Sequence, residues 1–161
     1  MISRRVVNAS PLIFLTHVGL LEALDEPGVP VVVPDRVIDE IGARGASDPA
    51  VIALGAAPWI RVVPTPPIPK EVSDWGLDPG ESAVLAVALE SPGSQAILDD
   101  LDARHCAASL GVPTQGTLGL QVVAKQLGLI AEVRPLVDRL RQTGFYMSQK
   151  LADRVLRAAG E

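Results

Sequence analysis

The stretch AILDDLDAR, residues 96–104, decides how the rest of the chain is read. Three apolar residues suited to a buried strand run into Asp99, Asp100 and Asp102, and helix-forming residues follow. Acids placed where a strand gives way to a helix mark the C-terminal edge of a parallel α/β sheet, where ligands collect. Three other segments carry related positions. RVVNASPLIFL (5–15) ends a β-rich run at Asn8, VPDRVIDEI (33–41) carries Glu40, and DPGESAVLAVAL (78–89) carries Glu81. Strand ends of this kind converge on one crevice. Carboxylates gathered there, with hardly any His or Cys beside them, suit a hard, oxygen-seeking divalent cation. The pattern points to metal-assisted chemistry on phosphate, with an amide rather than an acid at its first position.

Working outward, strands and helices alternate. Strands are expected at 4–7, 29–33, 59–63, 95–98 and 111–114. Ser10-Pro11 reads as a helix start, serine as N-cap and proline first in the helix, which should run to about Leu24. Further helices are expected near 34–41, 48–54, 78–90, 100–110, 117–127, 132–143 and 148–159, with a proline-rich loop at 64–69. Alternation of this kind implies βαβ units and a three-layer α/β/α sandwich around a central, mainly parallel sheet. The length, 161 residues, fits one domain over 1–161 with a substantial core.

Composition narrows the function classes. Apolar residues make up 48%, mostly aliphatic, as in a packed globular protein. A lone cysteine, Cys106, excludes an internal disulfide, and with two histidines it argues against structural zinc and for a reducing cytoplasm. Arg4-Arg5 before apolar residues imitates a secretion signal, but polar residues break the run and no membrane span is expected. The net charge of −5 disfavours holding nucleic acid by bulk electrostatics. No P-loop, dinucleotide fingerprint or serine-hydrolase elbow is present. The few aromatics, Trp59 and Trp75 among them, make no stacking platform for bases.

Each candidate has an ordinary explanation beside the chemical one. Asp78, Pro79 and Glu81 make a capping box, yet Gly80 within that turn lets a backbone or ligand come close. Three aspartates within residues 99–102 repel one another unless a cation or Arg104, one turn on, relieves them. Glu40 lies near the inward face that Val37 and Ile41 define, with Asp39 turned away. Asn8 suits a loop but also offers a carbonyl oxygen to a metal. Ser10 and Thr117 are explained as caps, and His17 and His105 have no partner in sequence.

Taken in order, VVNASPLIFL, VPDRVIDEI, APWIRVV, LDPGESAVLAVALE, ILDDLDAR, GTLGL and GFYMSQKLADRVLRAAGE resemble a PIN domain. That nuclease fold includes the toxins of VapBC toxin–antitoxin pairs, and the chain is similar to a prokaryotic branch of the superfamily. The resemblance implies a Mg²⁺- or Mn²⁺-dependent endoribonuclease whose acids bind metal and activate a water. It carries the first acid onto Asn8, the second onto Glu40, the third onto Glu81 and the fourth onto Asp100, with Asp99 and Asp102 as further acidic positions. Glu40, Glu81 and Asp100 would be catalytic; Asn8, Glu81, Asp99, Asp100 and Asp102 would hold metal, supported by Ser10 and Thr117. It further implies an RNA substrate, a small antitoxin protein as partner and a homodimer.

Asn8 departs from the pattern, because an amide brings no formal charge to the metal. A degenerate PIN domain that binds or regulates without cleaving is therefore the main rival. A small-molecule phosphatase or phosphodiesterase on the same scaffold ranks third, since fold does not fix substrate.

Overall fold

The computed structural model describes residues 1–161. Runs of β-branched and small residues form β1 (Arg4–Val7), β2 (Val31–Pro34), β3 (Ile60–Val63), β4 (Ser94–Ile97) and the short β5 (Thr114–Gln115). All neighbouring strands are parallel, in the order β3-β2-β1-β4-β5. Every residue of β2 and β4 is buried, as a parallel sheet covered on both faces requires. The covering helices are α1 (Ala9–His17), α2 (Asp35–Gly42), α3 (Pro49–Gly55), α4 (Lys70–Ser73), α5 (Pro79–Leu89), α6 (Leu101–Ser109), α7 (Thr117–Gln126), α8 (Arg134–Gln142) and α9 (Gln149–Ala158). The expected three-layer α/β/α architecture is the one observed.

Two features of this topology position the crevice. The chain leaves β1 toward β2 and β3 on one side, then crosses to β4 and β5 on the other. Strand order thus reverses at β1, and the loops after β1 and β4 diverge to leave a cleft beyond their C-terminal ends. Asn8 follows β1 there, and Asp99 and Asp100 follow β4. The second feature is α5, whose residues from Ser82 to Ala88 are all buried. A helix apolar all round belongs inside. It lies over β1, β2 and β4, which holds its first turn, and so Glu81, at the same edge of the sheet.

Several expected boundaries move. The N-cap of α1 is Asn8, not Ser10, which sits one residue inside the helix. Nor does α1 reach Leu24. Gly19 adopts φ +70°, Gly19 N–H donates to Thr16 O at 3.1 Å and Leu20 N–H to Leu15 O at 2.8 Å. This pair of bonds is a Schellman stop, after which Leu21–Leu24 form a separate 3₁₀ turn. The apolar run around Gly19 hides that stop from periodicity. β2 starts two residues later than expected, β5 lies at Thr114–Gln115 rather than 111–114, and α4 emerges from the proline-rich segment unforeseen.

Glu161 ties the last helices together. Its carboxylate accepts from Val133 N–H at 2.7 Å, Arg134 N–H at 3.1 Å and Lys125 Nζ at 3.0 Å. The Val133 amide is the chief cause that holds this carboxyl down to about 2, aided by Lys125 and the Arg134 amide. α7, α8 and α9 are thereby fixed relative to one another. No helix is long and apolar enough to cross a membrane.

Candidate functional site

The site begins at Asn8, where buried Val6 and Val7 end β1 and the chain turns into α1. The Asn8 backbone is extended, with φ −85° and ψ 169°, and its N–H donates to Ile97 O at 3.1 Å. Its side chain makes no capping bond, and its Oδ1 is buried without a hydrogen-bond partner. A buried carbonyl oxygen left without a donor costs about 1–3 kcal/mol.

Gly80 shows where that oxygen points. A methyl group placed on Gly80 would stand 3.1 Å from Asn8 Oδ1 and 2.7 Å from Glu40 Oε2. Two oxygens, from the loop after β1 and from α2, therefore meet over the first turn of α5, where a Cβ would push the Glu40 carboxylate aside. Glu40 is otherwise exposed, so its carboxylate reaches the crevice from the solvent side.

Glu81 follows directly and is half-buried. Asp78 N–H donates to Glu81 Oε2 at 3.2 Å, the arm of a capping box that engages the glutamate. Burial raises the Glu81 pKa to about 7, with Asp100, Asp78 and Glu40 adding like-charge repulsion against the opposing Asp78 amide. Glu81, Asp100 and Glu40 thus share one electrostatic neighbourhood. Asp100 is exposed and caps α6, accepting Ala103 N–H at 2.9 Å through Oδ2.

Asp99 does something else. Its Oδ1 accepts Thr117 N–H at 2.7 Å, and its Oδ2 accepts the hydroxyls of Thr117 at 2.6 Å and Ser10 at 2.8 Å. It bolts the end of β4 to the starts of α7 and α1. Three donors, and not Arg104, relieve its charge; Arg104 forms no ion pair with any of the aspartates. Ser10 and Thr117 reach the crevice through Asp99 and not as caps. Asp102 is exposed in the first turn of α6 and takes part in none of these contacts.

The structure therefore brings together Asn8, Glu40, Glu81 and Asp100, with Asp99 bonded beside them. No three His, Cys, Asp or Glu side chains stand close enough to cage a metal unaided. The donors nonetheless fit a hard cation, since Mg²⁺ asks for one or two carboxylates and completes its shell with water. The orphaned Asn8 oxygen beside Glu40 Oε2, next to carboxylates that repel one another, is an arrangement a cation would relieve.

An all-parallel sheet with oxygen donors at its switch point places ligand chemistry at that edge. The chain belongs to the PIN-domain family: the family model described as a PIN domain matches residues 4–161. PIN domains generally use divalent metal ions and bind RNA. No curated protein matches the chain.

Two outcomes follow for the metal-free protein. Because the folded pKa of Glu81 lies above the ordinary 4.5, its proton stabilises the fold below that value and the benefit is lost as pH rises through about 7. Glu81→Gln, which can still fill the capping box, should match the parent at pH 4. At pH 8 it should be more stable in EDTA by about 1–2 kcal/mol, allowing for solvent screening, read by thermal melts. Asp99→Ala leaves the fully buried Thr117 hydroxyl without its acceptor and should cost about 2–4 kcal/mol in urea unfolding, against about 0.5 or less for Asp102→Ala.

Proposed function

We propose that the chain is a single-domain, metal-dependent endoribonuclease of PIN type over residues 1–161, hydrolysing RNA phosphodiester bonds with Mg²⁺ or Mn²⁺. The observation that carries it is the buried, unpartnered Asn8 Oδ1 facing Glu40 Oε2 across Gly80. No donor of the protein satisfies that oxygen, and a hard cation bound there would. The reading extends to the toxin half of a VapBC-like pair, neutralised by a small antitoxin protein in the cytoplasm. An apolar groove between α2, α3 and β3, edged by exposed Val62, supports a homodimer.

In this reading Asn8, Glu40, Glu81 and Asp100 would hold the ion, which would supply an activated water and neutralise charge on the reacting phosphate. The chain does the rest. Glu81, whose carboxyl burial pushes up to about 7, would be held ionised by a cation bound beside it. Asp100, exposed at the lip, faces arriving substrate. Asp99 is a positioning residue: its bonds to Ser10 and Thr117 keep the β4 end, and with it Asp100, in place.

The rival reading, a PIN domain that binds without cleaving, is favoured by one residue. Asn8 supplies an oxygen but no charge, so its hold on a cation is weaker than an aspartate's. One set of measurements separates the two. Under the nuclease reading, millimolar Mn²⁺ raises the melting temperature over EDTA and supports cleavage of single-stranded RNA. Asp100→Asn then lowers that cleavage about 100-fold or more. An inert parent that gains cleavage as Asn8→Asp points to the degenerate domain. No melting shift and no cleavage in either protein would end the metal-nuclease reading.

A further inference from the structure

Beside the acid crevice lies a groove of about 300 Å³ whose walls include Asp99, Arg104, Gly116, Phe145, Tyr146 and Arg154. Asp99 and Gly116 form the boundary between groove and crevice. A methyl on Gly116 would stand 3.1 Å from Asp99 Oδ1 and 2.9 Å from Arg104 Nη1, so the guanidinium begins where the acid cluster ends. Arg104 is partly buried, and neither it nor Arg154 makes a hydrogen bond or ion pair with the protein. Asp99 lines the same groove but is not bonded to Arg104, which leaves a partly buried guanidinium with its donors free for an anion. Tyr146, in the turn between α8 and α9, exposes 92% of its surface beside this pair.

We propose that this groove is a second RNA subsite. Arg104 and Arg154 hold one backbone phosphate of a single strand, and Tyr146 stacks on an unpaired base next to it. The proposal rests on the RNA-nuclease reading and deepens it, giving the strand a path past Asp99 to the acids. Its chemistry follows from the parts. Guanidinium forks match phosphate oxygens, and although the few aromatics make no platform for a run of bases, the exposed Tyr146 ring offers a face to one unpaired base. The net charge of −5 makes a local cation pair necessary, because the chain as a whole repels a polyanion. Lys150 and Arg157, exposed on α9 four residues before Arg154 and three after it, extend the basic flank. Sequence gave no hint of the pairing, since Arg104 and Arg154 lie on helices far apart in the chain.

The test is binding without turnover: anisotropy of a short fluorescent single-stranded RNA in EDTA, across a salt series. Arg104→Gln/Arg154→Gln should raise Kd about tenfold or more and make log K against log [salt] shallower by about 0.7, one phosphate contact on a single strand. Tyr146→Ala should raise Kd about fivefold or more. Arg154→Gln alone, at an exposed position, shows the same direction if the double variant folds poorly. Arg104→Lys/Arg154→Lys should restore the salt slope but not the full affinity. Parental affinity and slope in the glutamine and alanine variants overturn the subsite, as does a parent that binds no RNA at low salt. Loss of oligoglutamate binding with RNA affinity intact assigns the pair to an acidic protein and also overturns it. Absent Mn²⁺-dependent cleavage with these binding losses intact sinks the nuclease reading alone.

Discussion

The half-burial of Glu81 beside the negative charges of Asp100, Asp78 and Glu40 is the constraint on which the site depends. These groups come from α2, α5 and the start of α6, and nothing local in the chain would draw them together. The sheet does so, by reversing its strand order at β1, and α5 does so, by burying its length under β1, β2 and β4. The raised proton affinity of Glu81 registers the strain: burial first, then the negative charge of Asp100, Asp78 and Glu40. A half-buried carboxyl with exposed carboxylates beside it is poised to bind what neutralises them.

Hydrogen bonding keeps that arrangement in register. Asp99 accepts from Ser10 on α1 and twice from Thr117 on α7, tying three chain segments across the C-terminal edge of the sheet. Gly80 and Gly116 serve the same edge in another way. Each is a place where a Cβ would collide with a polar group: Glu40 and Asn8 at the first, Arg104 and Asp99 at the second. Between them lies a polarity gradient, acidic over Gly80 and cationic beyond Gly116. A polyanionic strand could be gripped at one end of it and reacted at the other.

Much of this was legible in the chain before folding. Residues 29–33 and 95–98 read as buried strands, each within two residues of the observed β2 and β4, because a parallel sheet buries both faces, and the Asp78-Pro79-Gly80-Glu81 start of α5 carries its own capping chemistry. What local patterns missed depended on distant partners or on a single glycine. The end of α1 turns on the positive φ of Gly19 inside an apolar run. Asp99 read as a ligand, and its bonds to donors 89 and 18 residues away were not legible. Arg104 looked like its counter-ion and faces the neighbouring groove.

The central claim is that Asn8 Oδ1, Glu40, Glu81 and Asp100 surround one place for a hard cation. A crystal soaked in Mn²⁺ and measured for anomalous scattering tests it most directly. The account predicts a peak within coordination distance of Asn8 Oδ1 and at least one carboxylate oxygen of Glu40, Glu81 or Asp100, in the space over Gly80. A saturating soak that leaves that space empty, or that places manganese elsewhere on the protein, would contradict it.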